Sequence, residues 1–212
     1  MGAGCGCEQP KFDGMSPAFS RVMWIVIGIN AAMFVTEMAA GRAAGSQSLQ
    51  ADALDFLGDT ATYGISLWAI GKPIATRSMA AWGKGVSLSL MGIWVLASTL
   101  WQVLVLGVPQ AEVMGVIGAL ALAANVASVL LLLKYREGDA NVRSVWLCSR
   151  NDAIGNVAVM LAAAAVAATA SAWPDLIVAA IMSGLFLNSS LQIVRQARHE
   201  RRGGIYTEGH VH

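Results

Sequence analysis

The chain alternates between long apolar stretches and short polar connections. A bilayer core about 30 Å thick needs roughly 20 consecutive apolar residues to be crossed by a helix. Six stretches meet that length, at 22–40, 48–70, 80–107, 113–133, 144–171 and 173–194. Short connections favour antiparallel neighbours, so the pattern predicts an all-α, polytopic membrane protein with six transmembrane helices.

The predicted helices form one transmembrane domain over 21–195, between an N-terminal segment, 1–20, and a tail, 196–212. The first span ends without a convincing cleavage site, and we interpret it as a retained helix rather than a signal peptide. Only 18 residues follow residue 194, and we expect them to form a short basic tail.

Composition agrees with a membrane protein, since 56% of the residues are hydrophobic and 13% are charged. A net charge of +1 gives no reason to expect a nucleic-acid partner. The chain has no nucleotide-binding glycine loop and no nucleophile elbow, so we expect neither an enzyme nor catalytic or cofactor-binding residues. Any chemistry should lie between the helices.

Basic residues are concentrated in alternate connections. Lys and Arg flank the first span and fill the second and fourth connections and the tail, whereas the intervening connections contain only Arg42. By the positive-inside rule both termini are predicted to be cytoplasmic, in a multi-pass protein of the inner (plasma) membrane.

The second span carries three carboxylates in "DALDFLGDT", residues 52–60. Asp55 and Asp59 are four residues apart and Asp52 precedes Asp55 by three, so the three side chains share one helix face. An Asp at the bilayer centre costs about 2.5 to 3.5 kcal/mol on insertion scales. The stripe therefore predicts protonated carboxyls or a bound cation.

The fifth span offers a second polar face in "WLCSRNDAIGN". Cys148 and Asp152 are four residues apart, and Asn156 lies one turn further. Oxygen and sulfur atoms from two facing helices suit a tetrahedral transition metal, zinc first. We predict metal ligation by Asp55, Asp59, Cys148 and Asp152, a set that would bind protons without metal and release them when metal enters.

Other interpretations of these residues stay open. The carboxylates could instead line a proton path or pair with Arg150, and Cys148 could be a small apolar filler. Asp52 is expected mainly at the entrance or a helix end, with accessory ligation as the alternative. For the remaining polar residues of the spans, interhelical hydrogen bonding is expected first and a supporting or proton-relay role second; these are Asn30, Glu37, Asn125 and Asn156.

Cysteine and histidine also occur near the termini. Cys5 and Cys7 in "GCGCE" could receive a soft metal ion, although two thiols on a flexible segment need further ligands. His210 and His212 are weaker candidates at the end of the tail. With Cys148 in a span, three cysteines give no disulfide framework.

Together these motifs resemble the cation diffusion facilitator family of divalent-metal transporters, over about residues 21–198. "GSQSLQADALDFLGDTATYGISLWA" is similar to the family's second helix, in which a His or Asp precedes an Asp by four residues. "GDANVRSVWLCSRNDAIGNVAVMLAA" resembles the loop and fifth helix, usually Asn-x-Arg followed by His-x-x-x-Asp, and "WPDLIVAAIMSGLFL" the sixth helix. The positions that match are Asp55, Asp59, Asn141, Arg143, Cys148, Asp152 and Asp175.

The resemblance implies export of a divalent transition-metal ion by alternating access, usually by a homodimer and usually in exchange for protons. Zinc is expected first, with cadmium or cobalt next, and no resident cofactor is expected. Cys148 departs from the usual His or Asp, and the chain is expected to be a short form without the family's cytoplasmic C-terminal domain. The alternatives are a membrane metal sensor or scaffold that does not transport, and a proton-coupled carrier of another cation.

Overall fold

The predicted helices are present in the computed structural model, which describes residues 16–69, 74–105, 107–135 and 140–207. This part of the chain is all-α and contains no strand, which confirms the predicted fold class. Its helices are α1 (Pro17–Ala44), α2 (Gln47–Ala69), α3 (Ile74–Val105), α4 (Ala111–Leu132), α5 (Ala140–Thr169) and α6 (Trp173–Thr207). Helix α6 continues past residue 194, where the predicted span ends, and includes most of the predicted tail.

Local sequence signals explain both ends of α1. The Ser16 side chain accepts a hydrogen bond from the Phe19 backbone N–H at 3.1 Å, and Pro17 follows at the first helical position. At the other end Gly45 takes the left-handed conformation, with φ of 69°. This conformation favours glycine, and it lets the Ser46 N–H bond to the Gly41 carbonyl at 2.9 Å.

The first residues of α2 are held by a side chain from α6. Asp175, which is 1% exposed, accepts hydrogen bonds from the backbone N–H groups of Gln47 at 2.7 Å and Ser48 at 3.0 Å. The hydroxyls of Ser46 and Ser48 donate to it at 2.7 and 2.5 Å. Asp175 therefore caps α2 from another helix and neutralises the positive end of its dipole.

This region, Gly41–Ser48 together with Asp175, is called the capped end below. The Gln110 N–H, just before α4, bonds to the Ala44 carbonyl there at 3.0 Å. The capped end therefore joins the end of α1 to the starts of α2, α4 and α6. Exposed basic side chains gather toward the opposite end of the bundle, the basic end, and include Arg21, Lys134, Arg150 and Arg195.

Small residues let the helices approach closely, as the alanine- and glycine-rich spans predict. A Cβ added at Gly41 would lie 3.0 Å from the Leu49 Cβ, and one at Gly118 would lie 3.2 Å from the Met160 Cγ. Helix α3 packs mainly against α6, where the Ser183 hydroxyl donates to the Gly92 carbonyl at 2.7 Å. The other four helices form a bundle in which α1 packs on α2 and α4, and α4 packs on α5.

The outer surface of the helices is apolar, with Leu104 at 78% and Val116 at 69% exposure. Trp24, Trp68, Trp101 and Trp173 are also exposed, as expected of residues at a membrane interface. Within the described residues, four stretches are long and apolar enough to cross a membrane, in α1, α4, α5 and α6. The six-span topology and the cytoplasmic termini stay predictions.

We expect Asp175→Ala to destabilise the fold by on the order of 3 kcal/mol, because buried N–H and O–H donors of α2 would lose a charged acceptor. Denaturant unfolding of the purified protein in detergent measures this change. Glu112→Ala is the matched control, since Glu112 is an acid in the first turn of α4 but is exposed. Equal stability of the two variants would contradict the role of Asp175.

Candidate metal site

Helix α2 carries its three carboxylates inside the bundle. Asp52 is 1% exposed and Asp59 is 8% exposed, while Asp55 is half-buried. The helical spacing of three and four residues places these groups on adjacent turns, as predicted. The stripe is therefore an interior feature of the bundle and needs partners there.

One such partner is the hydroxyl of Tyr63, one turn after Asp59 on the same helix. Tyr63 donates a short hydrogen bond to the Asp59 Oδ2. Its oxygen is also 3.2 Å from the hydroxyl of Ser149 on α5. The Tyr63 hydroxyl thus connects Asp59 on α2 to Ser149 on α5, the residue that follows Cys148.

Helix α5 carries the second predicted ligand pair in its sequence. Asp152 is half-buried, and Asn156, one turn further, is fully buried. Neither amide atom of Asn156 has a hydrogen-bond partner among the described residues. A buried amide oxygen of this kind suits an accessory ligand or a water contact, and accessory ligation by Asn156 stays a prediction.

The complete four-ligand set stays a prediction. Cys148 lies on α5, but its side chain is outside the described part of the structure. Among described residues, no group of three or more His, Cys, Asp and Glu side chains is placed to hold a metal ion. The predicted accessory residues Cys5 and Cys7, and the tail histidines, also lie outside the described residues.

A second acidic pair lies between α1 and α2. Glu37 is fully buried, and its carboxyl group adjoins that of Asp52, with the charge of Asp55 also acting on both. Both Glu37 oxygens and the Asp52 Oδ2 lack a hydrogen-bond partner among the described residues. Two adjoining buried carboxyls without other donors need a shared proton or a cation between them.

Asp52 lies in the second turn of α2, near the start of that helix. The residue was expected mainly at an entrance or helix end, with accessory ligation as the alternative. The structure shows Asp52 buried within the bundle with its carboxyl adjoining that of Glu37, and its role in ion binding stays a prediction. The two acids lie toward the capped end relative to Asp59, because α2 begins there.

Two asparagines extend the polar interior. Asn30 donates to the Val26 carbonyl of its own helix at 2.8 Å, and its Oδ1 has no partner in the described part. The Oδ1 of Asn125 on α4 is likewise buried without one. Interhelical hydrogen bonding, the first expectation for these side chains, therefore does not account for either oxygen. Arg150, the alternative partner of the carboxylates, is exposed.

Tyr63 and the pairing of Glu37 with Asp52 were not predicted from the sequence. Tyr63 follows Asp59 by four residues, and this spacing on a helix already places the two side chains on one face. The Glu37 pairing has no comparable local signal, because it depends on how α1 packs on α2.

Comparison with known proteins points to one family. Residues 23–200 match the family described as the cation efflux transmembrane domain. The chain is also 26% identical, over 218 aligned residues, to the metal cation efflux system protein CzcD of Cupriavidus metallidurans. That alignment covers 92% of this chain and 66% of the relative, so the chain spans about two thirds of the relative's length.

We expect Glu37→Gln to stabilise the metal-free protein, because the new amide can donate to Asp52 and one buried acid is removed. A gain of about 1 kcal/mol would raise the melting temperature by about 2 to 4 °C. Thermal unfolding in detergent measures it, with exposed Glu112→Gln as the control. A lower melting temperature for Glu37→Gln alone would contradict an uncompensated acidic pair.

Proposed function

The chain belongs to the cation efflux family, and from this premise we propose that it exports divalent transition-metal ions, zinc first, in exchange for protons. The family assignment confirms the resemblance drawn from the paired motifs of the second and fifth helices. The observation that carries the proposal is the inward acidic face of α2 beside α5, in a bundle with an apolar exterior. Cadmium and cobalt are the next candidate ions.

The proposed ion-binding residues are Asp55 and Asp59 on α2 with Cys148 and Asp152 on α5. Contact between the helices at Tyr63 and Ser149 supports this choice, because it brings Asp59 to the same level as the start of the α5 motif. Two oxygens from one helix and an oxygen and a sulfur from another make a tetrahedral shell feasible. The sulfur favours zinc or cadmium over magnesium and manganese.

Proton exchange follows from the charge of the same groups. Three ionised carboxylates and a thiolate would carry four negative charges, whereas the ion brings two positive ones. Protons must occupy part of the site when the ion is absent and leave when it binds. The adjoining carboxyls of Glu37 and Asp52 offer a further buried place for a proton, one helix turn before Asp55.

The direction of transport is proposed from charge. Exposed Arg and Lys side chains at the basic end support a cytoplasmic position for that end in an inner-membrane protein. The ion would enter from the basic end, displace protons, and leave toward the capped end when external protons replace it. A second copy of the chain completes a homodimer in this proposal, as the family resemblance implies.

Measuring zinc transport by the purified protein tests the proposal directly. In proteoliposomes with an imposed proton gradient, Asp59→Ala and Asp152→Ala should abolish zinc flux, because each removes a charged ligand from the ion. A zinc-sensitive dye inside the vesicles measures the flux, and Glu112→Ala serves as the exposed-acid control.

Unchanged zinc flux in both aspartate variants would reject the proposed site. Zinc binding by the wild-type protein with no flux under any gradient would favour a membrane sensor or scaffold.

Ion selectivity tests Cys148 separately. Cys148→His and Cys148→Asp replace a soft sulfur with harder nitrogen or oxygen, so the flux ratio of cadmium to zinc should fall in both variants. Flux across a panel of zinc, cadmium, cobalt and manganese measures the ratio. The same ratio in all three proteins would exclude Cys148 as a ligand.

A further inference from the structure

The Tyr63 hydroxyl donates a hydrogen bond to Asp59, one of the proposed ligands. The Tyr63 side chain is fully buried in a cluster with Phe19, Met23 and Val26 of α1 and Leu132 of α4. The cluster fixes the ring, so the hydroxyl has a defined position between α2 and α5. An aromatic residue used only for packing would not need its hydroxyl directed at a carboxylate.

The hydrogen bonds of this hydroxyl have a defined direction. A tyrosine hydroxyl has one hydrogen, and that hydrogen is donated to the Asp59 Oδ2. The Ser149 hydroxyl, 3.2 Å away, must therefore be the donor to the Tyr63 oxygen. The hydrogen-bonded path therefore runs from Ser149 on α5 through Tyr63 to Asp59 on α2.

A carboxylate that accepts a hydrogen bond at one oxygen can bind a metal ion through the other. Such outer hydrogen bonds orient metal-binding carboxylates, and their loss weakens metal affinity by about 10- to 100-fold. The Ser149 contact adds a second constraint, because it sets the position of the donor relative to the helix that bears Cys148 and Asp152.

We propose that Tyr63 is a positioning residue for the metal site: it orients the Asp59 carboxylate through Oδ2 and sets the separation of α2 and α5 through Ser149. This inference rests on the proposed function, since it assigns Asp59 to the ion. It adds a residue outside the paired ligand motifs.

Tyr63→Phe is the direct test because it removes the hydroxyl and keeps the ring in its cluster. Calorimetric titration of the full chain in detergent with zinc should show binding weaker by about 10- to 100-fold. Zinc flux should show a raised KM with a smaller effect on kcat, and Ser149→Ala should change both in the same direction. The control removes the hydroxyl of a second tyrosine in the same cluster.

Tyr135→Phe is that matched control. Tyr135 belongs to the same cluster, where its ring lies 4.9 Å from the ring of Phe19 in an edge-on contact. Removing this hydroxyl leaves Asp59 untouched, and zinc affinity should equal that of the wild type. Equal loss of affinity in Tyr63→Phe and Tyr135→Phe would reduce Tyr63 to a packing role and overturn the proposal.

Asp59→Asn separates this inference from the proposed function. If Asp59→Asn weakens zinc binding while Tyr63→Phe binds like the wild type, the positioning role is wrong and the metal site stands. If Asp59→Asn binds zinc like the wild type, the metal site and the positioning role both fail. In the Asp59→Asn background, Tyr63→Phe should cause a smaller loss than in the wild type, and fully additive losses would contradict action through Asp59.

Discussion

A carboxyl group inside an apolar helix bundle must be matched by hydrogen-bond donors, a proton or a cation. Asp175 is matched by hydrogen-bond donors, because two backbone N–H groups at the start of α2 and two serine hydroxyls donate to it. Glu37 and Asp52 differ from Asp175, because their carboxyl groups adjoin each other and three of their oxygens have no hydrogen-bond donor in the described part. At Asp59, the Tyr63 hydroxyl donates to one carboxylate oxygen, Oδ2.

The capped end and the acidic pair of Glu37 and Asp52 therefore differ in how their buried charge is compensated. The capped end joins three helix starts to the end of α1 through backbone and Asp175 hydrogen bonds, so it is a stable anchor. Glu37 and Asp52, by contrast, have buried oxygens without donors in the described part, and a proton or cation that balances such a pair can be replaced. A carrier needs both properties: a rigid frame and a site whose occupant can be replaced.

Much of this arrangement could be predicted from the sequence, because it depends on local periodicity. Apolar length fixed the six helices, and four-residue spacing placed Asp55 and Asp59 on one face, where the structure has them. The Glu37–Asp52 pair and the Tyr63–Ser149 contact depend on packing between distant segments, which no local pattern encodes. The helix bounds also shifted, since Ser16 caps α1 earlier than the apolar stretch begins.

The central claim is that one ion is held jointly by α2 and α5. X-ray absorption at the zinc edge of the zinc-loaded full chain tests it most directly, because it reports the identity and distance of the ligand atoms. The account predicts one sulfur at about 2.3 Å and oxygen ligands at about 2.0 to 2.2 Å. A shell without sulfur, or one with two sulfurs as Cys5 and Cys7 would supply, would contradict it.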